Sequence, residues 1–109
     1  MKTYTISEKD WKLFRAKVPG WQENYMERLN REYVELLSGE GAPSEKFWAL
    51  EKRIHQDKKK KGVILEMRRS EMELNLVKLL GEEVIGFSDL ADFSEELQHQ
   101  IRFIMDCMK

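Results

Sequence analysis

From Trp21 to Ser38 the apolar residues Trp21, Tyr25, Met26, Leu29, Tyr33, Leu36 and Leu37 recur three and four apart, with Glu23, Glu27, Arg28, Arg31, Glu32 and Glu35 between them. That period matches the 3.6-residue turn of an α-helix and conflicts with the strict alternation of a half-buried strand. A helix with one apolar stripe must cover that stripe with other elements, so the neighbouring segments decide the architecture.

Those segments repeat the helical pattern. Thr3 to Ile6 alternates and reads as a short extended lead. Ser7 has the spacing to cap a first helix through Asp10, with Ile6 placed to staple onto Trp11 and with Trp11, Phe14 and Val18 on one face. Pro19-Gly20 is expected to stop it, because proline disfavours the helical conformation in the residue before it. Gly39 is expected to close the 21–38 helix in the left-handed conformation, and residues 39–43 form a loop. Ser44 is expected to cap a third helix with the stripe Phe47, Leu50 and Ile54, its last turn holding Lys58 to Lys61 and Gly62 stopping it.

Residues 63–69 fit either a strand or a helical turn. Val63-Ile64-Leu65 and the capping-box spacing of Ser70 to Glu73 favour an extended segment over 63–68. A helix from 71 to Gly81 then carries Met72, Leu76, Leu79 and Leu80. Ser88 and Ser94 are placed to cap a single turn and a terminal helix bearing Leu97, Ile101, Ile104, Met105 and Met108. The expected fold is one domain over residues 1–109, all-α, a compact bundle of about five helices.

Composition fits that class. The chain of 109 residues is 41% hydrophobic and 36% charged, with 10% aromatic, a mixture suited to amphipathic helices rather than to disorder. Cys107 is the single cysteine, which excludes an intrachain disulfide and a multi-thiolate metal site and favours the reducing cytoplasm. Charges fill the N-terminal stretch where a signal peptide needs apolar residues, and no apolar run approaches the roughly 18 residues of a membrane span. A soluble cytoplasmic protein that does not engage membrane is expected.

Charge is distributed unevenly. Residues 52–69 hold eight bases against two acids, whereas residues 70–109 hold nine acids against three bases, in a chain of net charge −1. Arg53, Lys58, Lys59, Lys60, Lys61, Arg68 and Arg69 are candidate contacts for a protein partner or for nucleic acid phosphates, whose binding would weaken with salt. The commoner use of such a run is a solvated helix end. Asp89, Asp92, Glu95 and Glu96 are candidate acidic contacts for a basic groove on a partner, and they speak against a DNA-reading helix there.

Catalytic signatures are absent: no phosphate-cradling glycine loop, no Gly-x-Ser-x-Gly and no His-Glu-x-x-His. His55 follows Glu51 by four residues and His99 follows Glu95 and Glu96 by four and three, spacings that suit a metal ligand pair but more often make a solvated ion pair. No cofactor is expected. The three tryptophans lie on helical stripes outside the basic segment, which suits a core role. Phe103, Cys107 and Met108, with Ile101, Ile104 and Met105, nearly encircle the end of the last helix. That helix is either central to the bundle or covered by a partner or a second copy, so a homodimer through it is one expectation.

The blocks Gly62-Val-Ile-Leu-Glu-Met-Arg-Arg-Ser-Glu-Met72 and Phe87-Ser-Asp-Leu-Ala-Asp-Phe-Ser-Glu-Glu-Leu97 resemble parts of short accessory proteins carried on bacterial mobile elements. In size, charge density and lack of catalytic motifs the chain is similar, as a class, to anti-CRISPR inhibitors of RNA-guided nucleases. The charge polarity together with the absent catalytic motifs points to a non-enzymatic helical interaction protein that binds a protein partner through charged surface, and the class similarity implies an inhibitor of a host protein. The alternatives are a nucleic-acid-associated protein using residues 52–69 and a metal-dependent enzyme.

Overall fold

A computed structural model describes residues 5–108, so the expected lead over residues 3–6 lies partly outside them. The fold is all-helical, and no strand occurs among the described residues. Helix α1 spans Glu8–Ser38, α2 Pro43–Asp57, α3 Met72–Gly81 and α4 Glu95–Cys107, with 3-10 turns at Arg69–Glu71 and Phe87–Leu90. Among the described residues four α-helices replace the expected five, because α1 runs unbroken through Pro19.

Proline at that position removes the N–H that would bond to the Arg15 carbonyl and crowds that carbonyl. The penalty is overcome by burial on both sides of it. Phe14, Val18, Trp21, Tyr25 and Leu29 keep helical spacing across the proline, and all but the half-buried Trp21 are buried. Breaking the helix at residue 19 would turn one half of this stripe out of register with its partners. Pro19 and Gly20 themselves lie on the exposed side.

The core joins the first half of α1 to α3, the second 3-10 turn and α4. Phe14 and Val18 meet Met72, Leu76, Leu79, Ile85, Leu90, Phe93, Leu97 and Ile101, while Trp11 and Trp21 pack at its margin. Two helix starts are tied together beneath it. Ser7 caps α1 by accepting the Asp10 amide at 3.1 Å, and Ser94 caps α4 by accepting the Leu97 amide at 3.2 Å. The buried Asp10 carboxylate in turn accepts the Ser94 amide at 3.0 Å and its hydroxyl at 2.6 Å, so a carboxylate sits at the positive end of α4.

The second half of α1 leaves this core and has α2 packed along it, with Arg28 also reaching the Glu83 carbonyl after α3. The hairpin makes the molecule long, 56 × 29 × 22 Å with a radius of gyration of 16.9 Å, against about 13 Å for a compact chain of this length. The expected compactness is therefore corrected: fifteen residues of α2 have one helix to lie on.

Several expected helix ends also change. Ala42 occupies the N-cap of α2 and Pro43 its first turn, so Ser44 falls inside the helix; proline suits that turn because its missing N–H would be unpaired there anyway. Helix α2 stops at Asp57, and Lys58 to Lys61 follow it as a turn instead of forming its last turn. Gly39 is extended (φ −74°, ψ −177°), and the left-handed residue of the loop is Gly41 (φ 134°). Residues 64–68 are irregular and unpaired, not a strand, with Asn75 fastening them through a 3.1 Å bond to the Glu66 carbonyl. Ser70 sits within the first 3-10 turn, and Gly86 in place of Ser88 starts the second, its amide donating to Asp89 at 2.8 Å.

The end of α3 forms a Schellman motif without glycine. The Val84 amide reaches the Leu79 carbonyl at 2.9 Å and the Glu83 amide the Leu80 carbonyl at 3.1 Å, with Glu83 at φ 59°. Arg28 of α1 donates to the Glu83 carbonyl at 2.7 Å, holding the strained residue in place.

Candidate functional site

The two sides of the α1–α2 hairpin differ in chemistry, and the helical wheel explains why. Lys46, Leu50, Arg53 and Asp57 follow each other at four, three and four and are the half-buried or buried positions of α2, which fixes the face turned to α1. Arg53 and Asp57 make that face polar. Arg53 pairs with Glu32 of α1 and with Asp57 at 3.0 Å, and its guanidinium lies 5.6 Å over the Tyr33 ring. The Tyr33 hydroxyl donates to Asp57 at 2.6 Å. Burial, followed by that carboxylate acceptor, pushes Tyr33 up to about 12, and the bond to Glu32 raises Arg53 above its usual range. One side of the hairpin is thus clamped by ion pairs, with a polar hollow of about 310 Å³ whose walls include Arg28, Lys60 and Glu82.

The opposite side is apolar and open. Two adjoining hollows of about 300 and 280 Å³ share Ile54 and Lys58; Phe47 and Leu50 line the first, and Met26, Tyr33 and Val63 the second. Phe47 stands 63% exposed beside this groove and contacts Trp48 edge-on, with centroids 4.9 Å apart. Trp48 is 64% exposed, half a turn from the face that meets α1, and so projects away from the hairpin. The core role expected of all three tryptophans holds for Trp11 and Trp21 and is corrected for Trp48.

The basic segment is divided by the fold. Arg53 is committed to the hairpin. Arg69 bonds Glu8 and the Ile6 carbonyl, both at 2.6 Å, and Arg68 pairs with its neighbour Glu66 at 2.8 Å. Lys60 approaches Asp57 at 3.9 Å. The Lys61 carbonyl accepts Gln22 at 3.0 Å, whereas Lys58 and Lys59 are exposed at the hairpin base. Four of the seven candidate cations, Arg53, Lys60, Arg68 and Arg69, are therefore engaged with carboxylates of the chain itself.

The acidic candidates are divided too. Asp89 accepts the Gly86 amide, Asp92 pairs with Lys17 at 3.3 Å, and Glu95 and Glu96 are exposed in the first turn of α4. Basic segment and acidic tail are each joined to α1, through Glu32 and Glu8 on one hand and Lys17 on the other. No family model, curated protein or solved structure matches this chain.

His55 and His99 are both exposed, on different helices, and among the described residues no three of His, Cys, Asp and Glu are grouped to hold a metal. Helix α4 is peripheral rather than central: it buries Leu97 and Ile101 but leaves Phe103 55% and Met108 66% exposed, with Cys107 beside them. No helix of the described residues is long and apolar enough to cross a membrane.

The groove residues Met26 and Val63 and the projecting Trp48 were not among the sequence candidates. A signal for Trp48 existed. Adjacent residues on a helix point about 100° apart, so Phe47 and Trp48 cannot both face a single neighbouring helix.

Proposed function

We propose that the chain is a non-enzymatic protein-binding module that acts as an inhibitor, using Trp48 as its anchor with charged residues around it. The observation that carries this reading is the Phe47–Trp48 pair, two large aromatics held edge-on and more than half exposed on the outside of a two-helix hairpin. Tryptophan in such a position loses little conformational freedom on binding and buries much apolar surface, which is the composition of interface hot spots. Lys58 and Lys59 at the hairpin base supply steering toward an acidic partner surface.

The test is affinity capture from a bacterial lysate with wild-type protein, with Trp48→Ala and with Lys58→Glu/Lys59→Glu. A stoichiometric protein is expected with the wild type and at least tenfold less with Trp48→Ala. Recovery of no protein, or recovery indifferent to Trp48, refutes the reading. An inhibitor of an RNA-guided nuclease is the specific form suggested by the class similarity; inhibition of cleavage in a purified nuclease assay, lost with Trp48→Ala, tests it.

A further inference from the structure

Burial along the chain stops at Leu29 and resumes at Asp57. Between these positions no residue is buried, and only Tyr33, Leu36, Lys46, Leu50 and Arg53 are half-buried. The ten residues of α3, by contrast, bury Met72, Asn75, Leu76, Val77 and Leu79. A helix of about 15 residues is marginal by itself in water, so α2 persists through what it makes with α1. The apolar share of that contact is small, because Ile54, Phe47 and Trp48 all stay exposed and Leu50 is partly covered. What remains is polar: Arg53 with Glu32 and Asp57, and the Tyr33 hydroxyl on Asp57. The Glu32 and Arg53 side chains are 45% and 34% exposed, and an ion pair so open to water fastens weakly. The base of the hairpin is held more firmly. Tyr25 and Leu29 are buried there, Gln22 donates to the Lys61 carbonyl, and the Gly62 amide donates to Glu82.

We propose that residues 30–57 form an arm that opens and recloses as one unit while the rest of the fold stays intact, with Arg53 as its latch. Segments with few buried apolar groups open at lower cost than a packed core, and they do so in contiguous cooperative units. The end of α1 and the whole of α2 make one unit because each supplies the other's cover: past Leu29, α1 is partly covered at Tyr33 and Leu36 and nowhere else. Arg53 is the latch because it alone bridges Glu32 of α1 and Asp57 of α2 while lying over the Tyr33 ring. Opening ends at the base, where the bonds to Lys61 and Gly62 tie the chain to α1 and to the turn after α3. It uncovers Leu36 and Leu50 and resets the direction of Trp48, which rides on the arm. The inference uses no property of Trp48 and stands whether or not that residue is an anchor.

Native-state hydrogen exchange of the full chain, read amide by amide, is the test. Relative to their intrinsic rates, the α2 amides from Phe47 to Asp57 are expected to exchange together and at least about a hundredfold faster than the slowest amides of α3 and α4. Arg53→Leu removes the latch and should speed the arm a further tenfold or so while leaving α3 and α4 unchanged. Ile101→Val trims a buried core side chain and should do the reverse, speeding the slowest α3 and α4 amides by roughly two- to tenfold without touching the arm. Exchange of α2 as slow as that of α3 and α4 overturns the proposal, as does a variant of either kind that speeds both regions equally, which would make the chain one cooperative unit. An arm indifferent to Arg53→Leu overturns the latch.

Discussion

Gly62 is where the hairpin base meets the ring of Tyr25, and replacing it by alanine gives the sharpest test of the packing. A Cβ at residue 62 would stand 2.7 Å from Tyr25 Cγ and Cε2 and closer still to Cδ2. Carbon atoms rest about 3.5 to 4.0 Å apart, so the ring or the turn must move by roughly 1 Å. Neither moves freely. Tyr25 is buried, Arg28 lies 5.0 Å over its ring, and the same Arg28 holds the Glu83 carbonyl. Gly62 is also held by its own amide, which donates to Glu82 at 3.3 Å, and by the Gln22 bond to the adjacent Lys61 carbonyl. Overpacking at a site with so little slack costs about 2 to 3 kcal/mol, the upper part of its usual range. Since about 1 kcal/mol moves the midpoint of a chain this size by roughly 4 °C or more, Gly62→Ala should melt some 10 °C below wild type.

A double-mutant cycle isolates the cause. Gly62 does not have positive φ, so alanine is not opposed by the backbone itself. In a Tyr25→Ala background the same Gly62→Ala change should be neutral or slightly stabilising, by up to about 0.5 kcal/mol, through the smaller entropy of the unfolded chain. Chemical denaturation of the four proteins measures the coupling. A Gly62→Ala protein as stable as wild type, or an equal loss with and without the Tyr25 ring, would refute the reasoning.

Gly20→Ala should stabilise α1 by about 0.5 to 1 kcal/mol, because a Cβ there meets nothing within 4 Å and alanine loses less backbone entropy; a higher urea midpoint checks it, and a lower one would mean that α1 is not helical at that point. Glu83→Gly should stabilise by about 1 kcal/mol, as the left-handed conformation at φ 59° strains a residue with a Cβ; destabilisation would contradict the Schellman geometry. Tyr33 bears on pH. Its pKa of about 12 in the fold lies above the ordinary 10.0, so the folded state keeps a proton that the unfolded chain releases. This contribution is complete below pH 10 and is lost as pH rises through about 12. An ultraviolet titration should show one tyrosinate forming late that Tyr33→Phe removes, and its presence in Tyr33→Phe would count against the Asp57 bond.

The all-helical class, the caps at Ser7 and Ser94, the end of α3 at Gly81 and the inward stripes Met72-Leu76-Leu79 and Leu97-Ile101 were legible in the sequence. Each rests on interactions within a turn or two, where spacing alone states which groups meet. The break at Pro19 was misread because a local rule met a larger nonlocal term: the stripe from Phe14 to Leu29 is buried on both sides of the proline, and only a continuous helix keeps both halves facing their partners.

The candidate surface lay beyond local reading for the same reason. Periodicity marks Phe47, Leu50 and Ile54 as one stripe, but whether anything covers that stripe depends on how many helices lie alongside, and α2 has only α1. Arg53 reads as one more cation of the basic segment, yet the crossing of α1 and α2 places it against Glu32, Asp57 and the Tyr33 ring. The sequence alone determined the helices and which side of most of them is apolar, because those follow from backbone periodicity. Only the tertiary structure decided which apolar sides stay open and which charges are already paired, because both depend on residues brought together across 20 or more positions of the chain.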